Sequence, residues 1–452
     1  MQTIIYQYIN NELQATELEV KSPESTHFLI QLEQKVKQDY FLLKVKPGQI
    51  ELNHDLIKNW IEVAAENMAA ISYSFYTEVS EYGEKQVPTI EYTTGSIRDD
   101  FNFGALVLIQ RDTLKAYNRQ NKEVYTYAGW YSFRLFASRR NAIYQHETYT
   151  YHYSEIDLRE SGQKQFDYVN PRNRNRQIEM EQAATFHLEE IGAKVSPPFK
   201  EVDFTSAGFP TEASVIIPVL NREKTIADAI QSVLAQKTNF TFNLLVINNH
   251  STDKTTEIIN SFKDNRIIHI QPTSKELGIG GCWNEGIYHE KCGRFAVQLD
   301  SDDLYSDENT LQKIIDKFYK EGCAMVVGSY QMVDFKLEEI PPGVIDHREW
   351  SDENGANNAL RINGFGAPRA FYTPIVRKIG FPNVSYGEDY AVSLAISREY
   401  KTGRIYHPIY FCRRWDQNTD SNLSIDKINA HNSYKDSLRK NEIETRQSIT
   451  KL

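Results

Sequence analysis

The chain has 452 residues, of which 51 are Lys or Arg and 61 are Asp or Glu, giving a formal net charge of −10. This length predicts two or three domains and excludes a single small binding module. Hydrophobic residues make up 40% of the chain and charged residues 25%, which indicates a folded protein and excludes general disorder. The acidic charge argues against nucleic acid as a partner, because binding through phosphates requires a basic surface.

The cysteines and the N-terminus bear on the compartment. Cys282, Cys292, Cys323 and Cys412 lack the spacing of a zinc site or a disulfide framework, which favours a reducing environment. The N-terminus has no basic segment followed by an apolar one, and no run approaches the ~18 apolar residues that cross a bilayer. We therefore expect a cytoplasmic protein, with peripheral association at the inner face of a membrane left open.

The first part of the chain contains a pattern that recurs later. Residues 40–76 show the order strand, turn, helix and strand, and residues 295–330 show the same order. The stretches 97–117 and 128–140 similarly resemble the stretches 362–380 and 387–399. The sequence thus predicts an internal repeat.

A helix and a linker follow. Apolar residues recur at spacings of three to six between Ile178 and Ile191, which predicts a helix ended by Gly192. Proline and glycine then interrupt all periodicity over residues 194–212. We assign residues 166–211 to this helical segment and linker, and we expect the helix to pack between the two halves.

From residue 212 onward, apolar strands alternate with amphipathic helices. This order predicts βαβ units with a parallel sheet, whose ligands bind beyond the carboxyl ends of the strands. The predicted strands lie near residues 214–220, 242–248, 266–271 and 294–300, with helices near 224–236, 253–262 and 280–290.

Three carboxylates, Asp300, Asp302 and Asp303, follow directly after the last of these strands. A parallel sheet would present them to the ligand crevice, where their mutual repulsion favours a bound cation. Oxygen ligands suit Mn²⁺ or Mg²⁺, which can bridge to a diphosphate. An isolated acidic turn is more often solvated or caps a helix, so the surrounding motifs decide between the two interpretations.

Four segments resemble, in order and spacing, the motifs of family-2 glycosyltransferases of the GT-A fold. They are SVIIPVLNRE (214–223), VINNHSTDKT (246–255), GIGGCWNEGI (278–287) and LDSDD (299–303). Farther on, YGEDY (386–390) resembles the ED motif of the family, and Arg413-Arg414-Trp415 resembles its RW-type segment. The resemblance covers about residues 212–425. It implies an α/β fold with a GT-A (Rossmann-like) nucleotide-sugar transferase domain, preceded by a smaller α/β domain resembling its second half.

The resemblance implies catalytic and metal-binding roles. Asp389 would act as general base on the acceptor hydroxyl, with Glu388 as its neighbour. Asp302 and Asp303 would hold Mn²⁺ or Mg²⁺ against the diphosphate, which leaves with concentrated negative charge. Direct displacement of this group would invert the anomeric configuration.

The resemblance also implies binding residues. Those for the nucleotide-sugar are Pro218, Val219, Leu220, Asn221, Glu223, Asn249, Gly278, Asn284, Asp300, Ser301 and Arg414. Those for the acceptor are Gly364, Phe365, Gly366 and Trp415. Arg413 would help to neutralise the leaving group or would be an exposed cation at a sheet edge.

Three residues depart from the family pattern. Leu220 stands where an aromatic residue is usual, Asn249 replaces an acid that reads uracil, and Trp283 replaces an arginine. Because an amide oxygen can accept from a pyrimidine N–H, UDP remains the first expectation for the donor nucleotide. The expected acceptor is a saccharide or a lipid-linked saccharide, in bacterial cell-surface polysaccharide or glycan synthesis. Whether the chain forms a homodimer stays open.

Two other functions fit parts of the sequence. A sugar nucleotidyltransferase has a similar sheet but normally carries a glycine-rich loop after its first strand, and VLNREK has no glycine. The second is a non-catalytic carbohydrate-binding or scaffold protein that keeps the GT-A fold. The intact Asp300, Asp302, Glu388 and Asp389 argue against it.

The internal repeat gives the first half its own interpretation. In the matched stretches, Gly129 and Trp130 occupy the positions of Glu388 and Asp389, and Lys44, Val45 and Lys46 replace the acidic turn. We predict that residues 1–165 are a degenerate partial repeat of the transferase domain (212–425), without its metal acids or its base. Residues 426–452 are predicted to form a helical tail.

Overall fold

The computed structural model describes residues 2–10, 12–19, 22–155, 173–205, 208–415 and 423–450. The predicted boundary at residue 165 lies outside the described residues. The described parts form two mixed α/β units, each built on its own sheet. The predicted α/β class is therefore confirmed, while the exact domain boundaries remain predictions.

The N-terminal sheet has the strand order β2-β1-β3-β7-β5-β8-β4, and β6 pairs with β5. Separate apolar clusters cover its two faces. The strands are β1 (Gln2–Ile9), β2 (Glu12–Glu19), β3 (Tyr40–Lys44), β4 (Gly48–Leu52), β5 (Ile71–Ser80), β6 (Gly83–Val87), β7 (Leu106–Gln110) and β8 (Ile143–Glu155). The helices are α1 (Thr26–Lys35), α2 (His54–Glu66), α3 (Arg111–Gln120) and α4 (Gly129–Arg140).

Helix α5 (Arg174–Glu190) connects the two units along the chain. It ends two residues before Gly192, which adopts a left-handed φ of 68°. Its buried residues belong to a core that extends from α4 into the second sheet. The expected packing of this helix between the two halves is thus confirmed.

The C-terminal sheet has the order β11-β10-β9-β12-β16-β14-β17-β13, and β15 pairs with β14. Its central strands are buried on both faces, as expected for parallel strands covered by helices. The strands are β9 (Ala213–Val219), β10 (Phe242–Asn248), β11 (Ile267–Ile270), β12 (Phe295–Gln298), β13 (Leu304–Tyr305), β14 (Met325–Val333), β15 (Glu339–Ile345), β16 (Arg369–Tyr372) and β17 (Thr402–Arg413). The helices are α6 (Ile226–Leu234), α7 (Thr255–Ser261), α8 (Ile279–Tyr288), α9 (Thr310–Glu321), α10 (Gly355–Asn358), α11 (Thr373–Ile379), α12 (Glu388–Glu399) and α13 (Ile425–Thr450).

Five strand pairings of the N-terminal sheet recur in the C-terminal sheet with the same direction. Antiparallel β3–β7, β5–β7, β5–β6 and β4–β8 correspond to β12–β16, β14–β16, β14–β15 and β13–β17. Parallel β5–β8 corresponds to β14–β17, and both pairs contain register shifts. The predicted repeat requires this correspondence, and the common origin of the two units stays a prediction.

The two sheets differ on the far side of this shared part. In the C-terminal sheet, β12 is followed by parallel β9 and then by β10 and β11. In the N-terminal sheet, β3 instead pairs with antiparallel β1, which forms a hairpin with β2. The parallel strands β9, β10 and β11 therefore have no counterpart among the described N-terminal residues.

The C-terminal helix α13 is more than a tail, because its polar side chains bind both units. Asp436 accepts hydrogen bonds from Ser96 Oγ (2.9 Å) and Arg98 Nε (3.2 Å) in the N-terminal unit. Arg439 and Arg446, both almost fully buried, donate to the carbonyl oxygens of Ile362 and Ala356, respectively.

Within the described residues, no helix combines the length and apolarity needed to span a membrane.

Candidate active site

The acidic turn lies at one edge of the C-terminal sheet. Asp300 stands two residues beyond the end of β12. Because β16 runs antiparallel to β12, its first residue, Arg369, lies at the same edge, and its N–H donates to Gln298 Oε1 (3.1 Å). Gln298 Nε2 in turn donates to Asp300 Oδ1 (2.9 Å). The fold thus places a cation beside the acid that ends the central strand.

Asp303 is turned into the protein instead of toward the cleft. Its Oδ1 accepts the N–H of Arg413 (2.8 Å), and the residue is only 5% exposed. Burial, together with the charges of Asp302 and Asp300, raises the pKa of Asp303 well above its ordinary value. The geometry therefore corrects the prediction for Asp303, whose carboxylate supports the turn. Ser301 is also buried, at 8% exposure.

Asp302, like Asp300, is partly exposed, and it faces the space between the acidic turn and the loop after β9, which is called the cleft below. Its Oδ2 lies 3.8 Å from Arg222 Nε and 3.4 Å from Trp415 Nε1, and its side chain is 16% exposed. Trp415, predicted to bind the acceptor, thus contacts a predicted metal ligand. The ring of Phe335 packs edge-on against Trp415, which fixes this contact.

Arg413 holds the acidic turn in place. Its Nε donates to the carbonyl oxygen of Asp302 (2.6 Å) and its Nη1 to Asp228 Oδ2 (2.7 Å), and its side chain is 2% exposed. An exposed cation at a sheet edge is therefore excluded for Arg413. Arg414, which follows it, donates its N–H to the carbonyl oxygen of Val333 (2.9 Å).

The predicted base lies at the N-terminus of α12. Asp389 Oδ2 forms an ion pair with Arg369 Nη2 at 3.1 Å, and a quarter of its side chain is exposed. Burial acts to raise the pKa of Asp389, but the charges of Arg369 and Lys435 outweigh it and leave this pKa below its ordinary value. Asp389 is therefore ionised at neutral pH and accessible to a ligand.

Glu388, the neighbour of Asp389, has the opposite environment. It is 8% exposed, and its Oε2 has no hydrogen-bond partner among the described residues. Burial and the adjacent charge of Asp389 raise the pKa of Glu388 to about 8. One ionised and one protonated carboxyl thus stand side by side, and of the two Asp389 is the one able to accept a proton at neutral pH.

Helix α13 supplies a cation to this region. Lys435 is 8% exposed, donates to the carbonyl oxygen of Asn363 (2.5 Å) and lies 4.4 Å from the ring centre of Tyr386. Burial lowers the pKa of Lys435 to about 8, although Asp389 opposes this effect. The ring of His431, also on α13, stacks on Tyr386 with 3.8 Å between the ring centres.

The loops that follow β9 and β10 are joined by residues predicted to contact the nucleotide. Asn221 Oδ1 accepts the N–H of Thr252 (2.8 Å), and Glu223 Oε2 accepts the N–H of Lys254 (3.1 Å). Asn284, on α8, is similarly occupied, because its amide exchanges two hydrogen bonds with the backbone of Phe381. These side chains shape the cleft, and their predicted direct contact with the nucleotide stays untested.

Asn249 is oriented differently. Its Nδ2 donates to the carbonyl oxygen of Leu277 (2.8 Å), whereas its buried Oδ1 has no partner within the described part of the chain. A buried acceptor without a donor costs free energy until a ligand supplies one. Leu220, at 48% exposure, and the partly buried Pro218 lie one strand away, where Val219 is buried.

The predicted acceptor loop is only partly exposed. Phe365 is 2% exposed and packs between Trp350 and Tyr390, so the prediction that it contacts the acceptor is wrong for its side chain. Gly364 is partly exposed with open space around its Cα, and Gly366 has a left-handed φ of 99° beside His347. The predicted acceptor contacts of these two residues stay untested.

The interior explains two further residues of the glycine-rich motif. Trp283, which replaces an arginine of the family pattern, is 5% exposed and packs on Phe371 and Phe381. It therefore belongs to the core and takes no part in the cleft. Gly278 begins α8 beside Val384, where a side chain would collide with the backbone, and its N–H donates to Asn383 Oδ1 (2.8 Å).

Whether this site suits a divalent cation depends on the two acids of the turn that are not buried, Asp300 and Asp302. No group of three or more His, Cys, Asp or Glu side chains forms a metal cage within the described ranges. Mg²⁺ in phosphate-transfer sites is commonly held by only one or two carboxylates together with substrate phosphates. Asp302, with Asp300 two residues before it, meets this requirement.

Comparison with known proteins identifies the class. Residues 214–371 match the family model for glycosyl transferase family 2. This matched segment is therefore a family-2 glycosyltransferase domain, and the predicted GT-A fold is confirmed for it.

Two bacterial relatives illustrate this similarity. The chain is 33% identical over 121 residues to the Escherichia coli UDP-Glc:alpha-D-GlcNAc-diphosphoundecaprenol beta-1,3-glucosyltransferase WfgD, covering 27% of this chain and 46% of WfgD. It is 40% identical over 200 residues to an uncharacterized glycosyltransferase of Rickettsia felis, covering 43% of this chain and 32% of that protein. The chain thus spans less than half the length of these relatives.

Solved structures add a weaker similarity. A structure of S. aureus TarS with UDP-GlcNAc matches with 16% identity and a TM-score of 0.40, covering 51% of this chain and 71% of that one. A TM-score this low transfers no residue role. The assignments of the cleft therefore depend on the contacts described above.

Proposed function

We propose that this chain is an inverting glycosyltransferase that moves a sugar from a UDP-sugar to a saccharide or lipid-linked saccharide with Mn²⁺ or Mg²⁺. The observation that carries the proposal is the ion pair between Arg369 and the partly exposed Asp389, at the same sheet edge as Asp300 and Asp302. A base and a diphosphate-binding turn are the two parts that such a transfer requires.

The proposed reaction uses Asp389 as the proton acceptor. The acceptor hydroxyl transfers its proton to Asp389 while its oxygen attacks the anomeric carbon, and the bond from that carbon to the diphosphate oxygen breaks. Arg369 keeps Asp389 ionised before the attack. Glu388 stays protonated, so that it adds no second negative charge. Attack opposite the leaving group inverts the configuration.

Asp302, supported by Asp300, would hold the divalent cation. When bound, this cation stabilises the negative charge that develops on the departing diphosphate. Arg413 fixes the direction of the turn through the Asp302 carbonyl oxygen, and Arg222 lies next to the Asp302 carboxylate. The turn is thus held ready before a ligand arrives.

Asn249 supports a uracil base. Its Nδ2 is committed to Leu277, so the buried Oδ1 is the atom left to read a ligand. The imide N–H of uracil is a suitable donor, whereas the corresponding ring nitrogen of cytosine is an acceptor. The amide therefore does the work of the acid usual in the family.

The names of the relatives support the acceptor class. WfgD and another Escherichia coli relative, WfaP, are named for transfer from UDP-Glc to a GlcNAc-diphosphoundecaprenol. We extend only the class, a saccharide on a lipid carrier, to this chain. Such an acceptor would bring the protein to the membrane surface and place it in cell-surface polysaccharide or glycan synthesis.

Thermal unfolding tests the donor site. The wild type and Asp302→Ala are compared with UDP, GDP and CDP, each with and without Mn²⁺. Ligand at a hundred times its dissociation constant stabilises the folded state by about 2.7 kcal/mol. We expect this stabilisation for UDP with Mn²⁺ in the wild type, and its loss in Asp302→Ala.

Glu257→Ala provides the matched control, because Glu257 is an exposed acid on helix α7 of the same C-terminal unit. It should respond to UDP and Mn²⁺ as the wild type does. Absence of stabilisation by any of the three nucleotides in the wild type would contradict the proposal and favour a non-catalytic binding protein.

A further inference from the structure

A cavity of about 700 Å³ opens at the carboxyl end of β3 in the N-terminal unit. Its volume lies within the range of small-molecule sites, roughly 300–1,000 Å³. Val45 stands five residues after Tyr40, as Asp300 stands five residues after Phe295. The cavity therefore occupies the place in its sheet that the candidate active site occupies in the other.

Aromatic rings form much of the cavity wall. Phe101, Phe103 and Tyr76 line it with at most 6% of each residue exposed, whereas Trp130 is only half-buried. Phe101 and Phe103 lie 4.7 Å apart between ring centres, with their planes inclined by 52°. Flat apolar rings of this kind match the C–H faces of sugar rings, while tryptophan and tyrosine can also form hydrogen bonds.

Polar groups accompany the rings. Lys46 Nζ donates to Asn102 Oδ1 (2.8 Å), and the N–H of Gly104 donates to the same oxygen (3.1 Å). These contacts, with a further hydrogen bond between the Asn102 side chain and Tyr76, hold the Asn102 amide in the cavity wall. Mixed aromatic and amide walls favour a ligand that is both apolar and rich in hydroxyl groups.

The charges on the wall favour a neutral ligand. Three lysines and five acids line the cavity, so both signs of charge are present on its wall. The acids partly neutralise cations at the rim, as in the ion pairs of Asp100 with Arg98 (2.7 Å) and of Asp99 with Arg361. The charged lining residues are Lys44, Lys46, Lys85, Glu24, Glu78, Asp99, Asp100 and Glu155.

The cavity lacks the groups that transfer would require. Val45 stands in place of Asp300, and Trp130 follows the first residue of α4 as Asp389 follows the first residue of α12. Gly129 packs so closely on the backbone of Ser25 and Thr26 that any side chain would collide with it. A ligand in this cavity would therefore be bound without being converted.

The cavity also borders the transferase unit. Asp99 pairs with Arg361, and Asp100 accepts from Asn363 Nδ2 (2.7 Å), so its wall is joined to the loop that contains Gly364. Ile425 and Ile428 of α13 complete the lining. A saccharide held here would lie next to the transferase half of the molecule.

We propose that this cavity is a second, non-catalytic binding site for a neutral saccharide. Its occupancy does not depend on the proposed transfer reaction. The proposed transfer and this second site are linked only by the expectation that the saccharide bound here is part of an acceptor or a product of the transfer.

Saturation-transfer NMR on the full chain tests the proposal with chitotriose and cellotriose as neutral probes and a uronic-acid trisaccharide as the charged probe. We expect at least one neutral probe to bind at about millimolar concentration. Trp130→Ala should weaken this binding by roughly tenfold or more, because a central aromatic contact is lost. Val45→Trp should also weaken it, because the larger side chain fills the cavity.

Tyr82→Ala is the matched control, since Tyr82 is an aromatic residue of the same unit at 93% exposure. It should bind the neutral probe as the wild type does. Stabilisation by UDP and Mn²⁺ should persist in all three variants, which separates this site from the donor site. The proposal is overturned if neither neutral probe binds the wild type, if the charged probe binds better, or if both cavity variants bind as the wild type does.

Photo-crosslinking provides a measurement that needs no variant. A diazirine derivative of the bound neutral trisaccharide is reacted with the wild type, and the labelled peptides are mapped by mass spectrometry. We expect labels on residues 98–104 or on Trp130. Labels confined to residues 361–389 would place the saccharide in the transferase cleft alone and would overturn the proposal.

Discussion

The corresponding edges of the two sheets share a backbone arrangement but differ in charge. At the C-terminal edge, Asp300, Arg369 and Asp389 lie together, whereas the matching positions of the N-terminal edge hold Val45, Val107 and Trp130. Val107 pairs with Tyr73 as Arg369 pairs with Val327, so the match follows from strand register. The same arrangement of strands can thus hold either a cleft with an ion-paired base or a cavity that has an aliphatic and an aromatic residue at the matching positions.

The difference teaches which parts of the fold carry chemistry. Strand pairing depends on backbone hydrogen bonds and on buried apolar side chains, and both edges keep these. Asp300 and Asp389 lie beyond the paired strands and Arg369 is the first residue of β16, so these side chains can differ while the backbone ladder stays intact. A unit can therefore lose its catalytic groups while it retains its fold.

The largest expected effect is the loss of the base. Asp389→Asn removes the proton acceptor while it keeps the shape of the side chain, so sugar transfer should fall by roughly 10²–10⁴-fold. Release of UDP from the donor in the presence of acceptor measures this change. Asp112→Asn, on an exposed acid of α3, is the control and should retain full activity. Transfer at the wild-type rate in Asp389→Asn would remove Asp389 from the mechanism.

The next effect concerns the cation between the acids. Arg369→Met should raise the pKa of Asp389, since the ion pair at 3.1 Å favours the ionised form. A base is active above its pKa, so the acidic limb of the pH–activity profile should move to higher pH. On that limb, at a pH below the pKa of Asp389 in both proteins, activity should fall by roughly tenfold for each unit of the shift.

Arg369→Lys tests whether charge is the cause. It restores a cation and should move the acidic limb back toward the wild-type position. If Arg369→Met lowers activity equally at every pH, Arg369 supports only the structure. The charge that distinguishes Arg369 from the matching Val107 would then have no effect on the pKa of Asp389.

A smaller effect is expected for stability at high pH. Glu388 has a pKa of about 8 in the folded protein, above its ordinary value near 4.5. The folded state then holds a proton that the unfolded state has lost, so this group makes the free energy of unfolding decrease from about pH 4.5 to pH 8. The slope from this single group is at most about 1.4 kcal/mol per pH unit.

Glu388→Gln should remove this slope, because the amide stays neutral at every pH. Urea unfolding of both proteins between pH 5 and 8 measures the difference, which should grow with pH in favour of the variant. Parallel curves for the two proteins would show that Glu388 titrates normally and that its environment resembles that of an exposed acid.

The smallest effect concerns the nucleotide base. Asn249→Leu leaves a uracil N–H without its acceptor, which costs about 1–3 kcal/mol of binding. Titration calorimetry with UDP and Mn²⁺ should show the weaker binding, while Asn249→Asp should retain most of it. If Asn249→Leu binds UDP as tightly as the wild type, the buried Oδ1 does not read the base.

Part of this architecture was predictable from local sequence. The strand Phe242–Asn248 was predicted with its observed bounds, because a short apolar run between polar turns has few alternatives. Ordered motifs identified the transferase family without any knowledge of contacts. They could not show that Asn221, Glu223, Asn284 and Phe365 serve the framework, because these roles depend on which loops and helices meet.

The residues that the sequence reasoning missed have partners far away along the chain. Arg369 gains its role because β16 returns antiparallel beside β12, and Lys435 because α13 packs on α12. A strand predicted to return antiparallel beside the strand before the acidic turn would have placed its first residue, Arg369, next to that turn. No local signal marked Lys435, whose helix was expected to be only a tail.

The sequence by itself determined the two halves, the order of their elements and the acids of the cleft. Periodicity and turn residues act over short distances and are visible in one dimension. Only the tertiary structure decided which carboxylates face the cleft, which are buried, and which cations stand beside them. These properties depend on burial and on distances between residues remote in sequence, because desolvation and electrostatic attraction act through space.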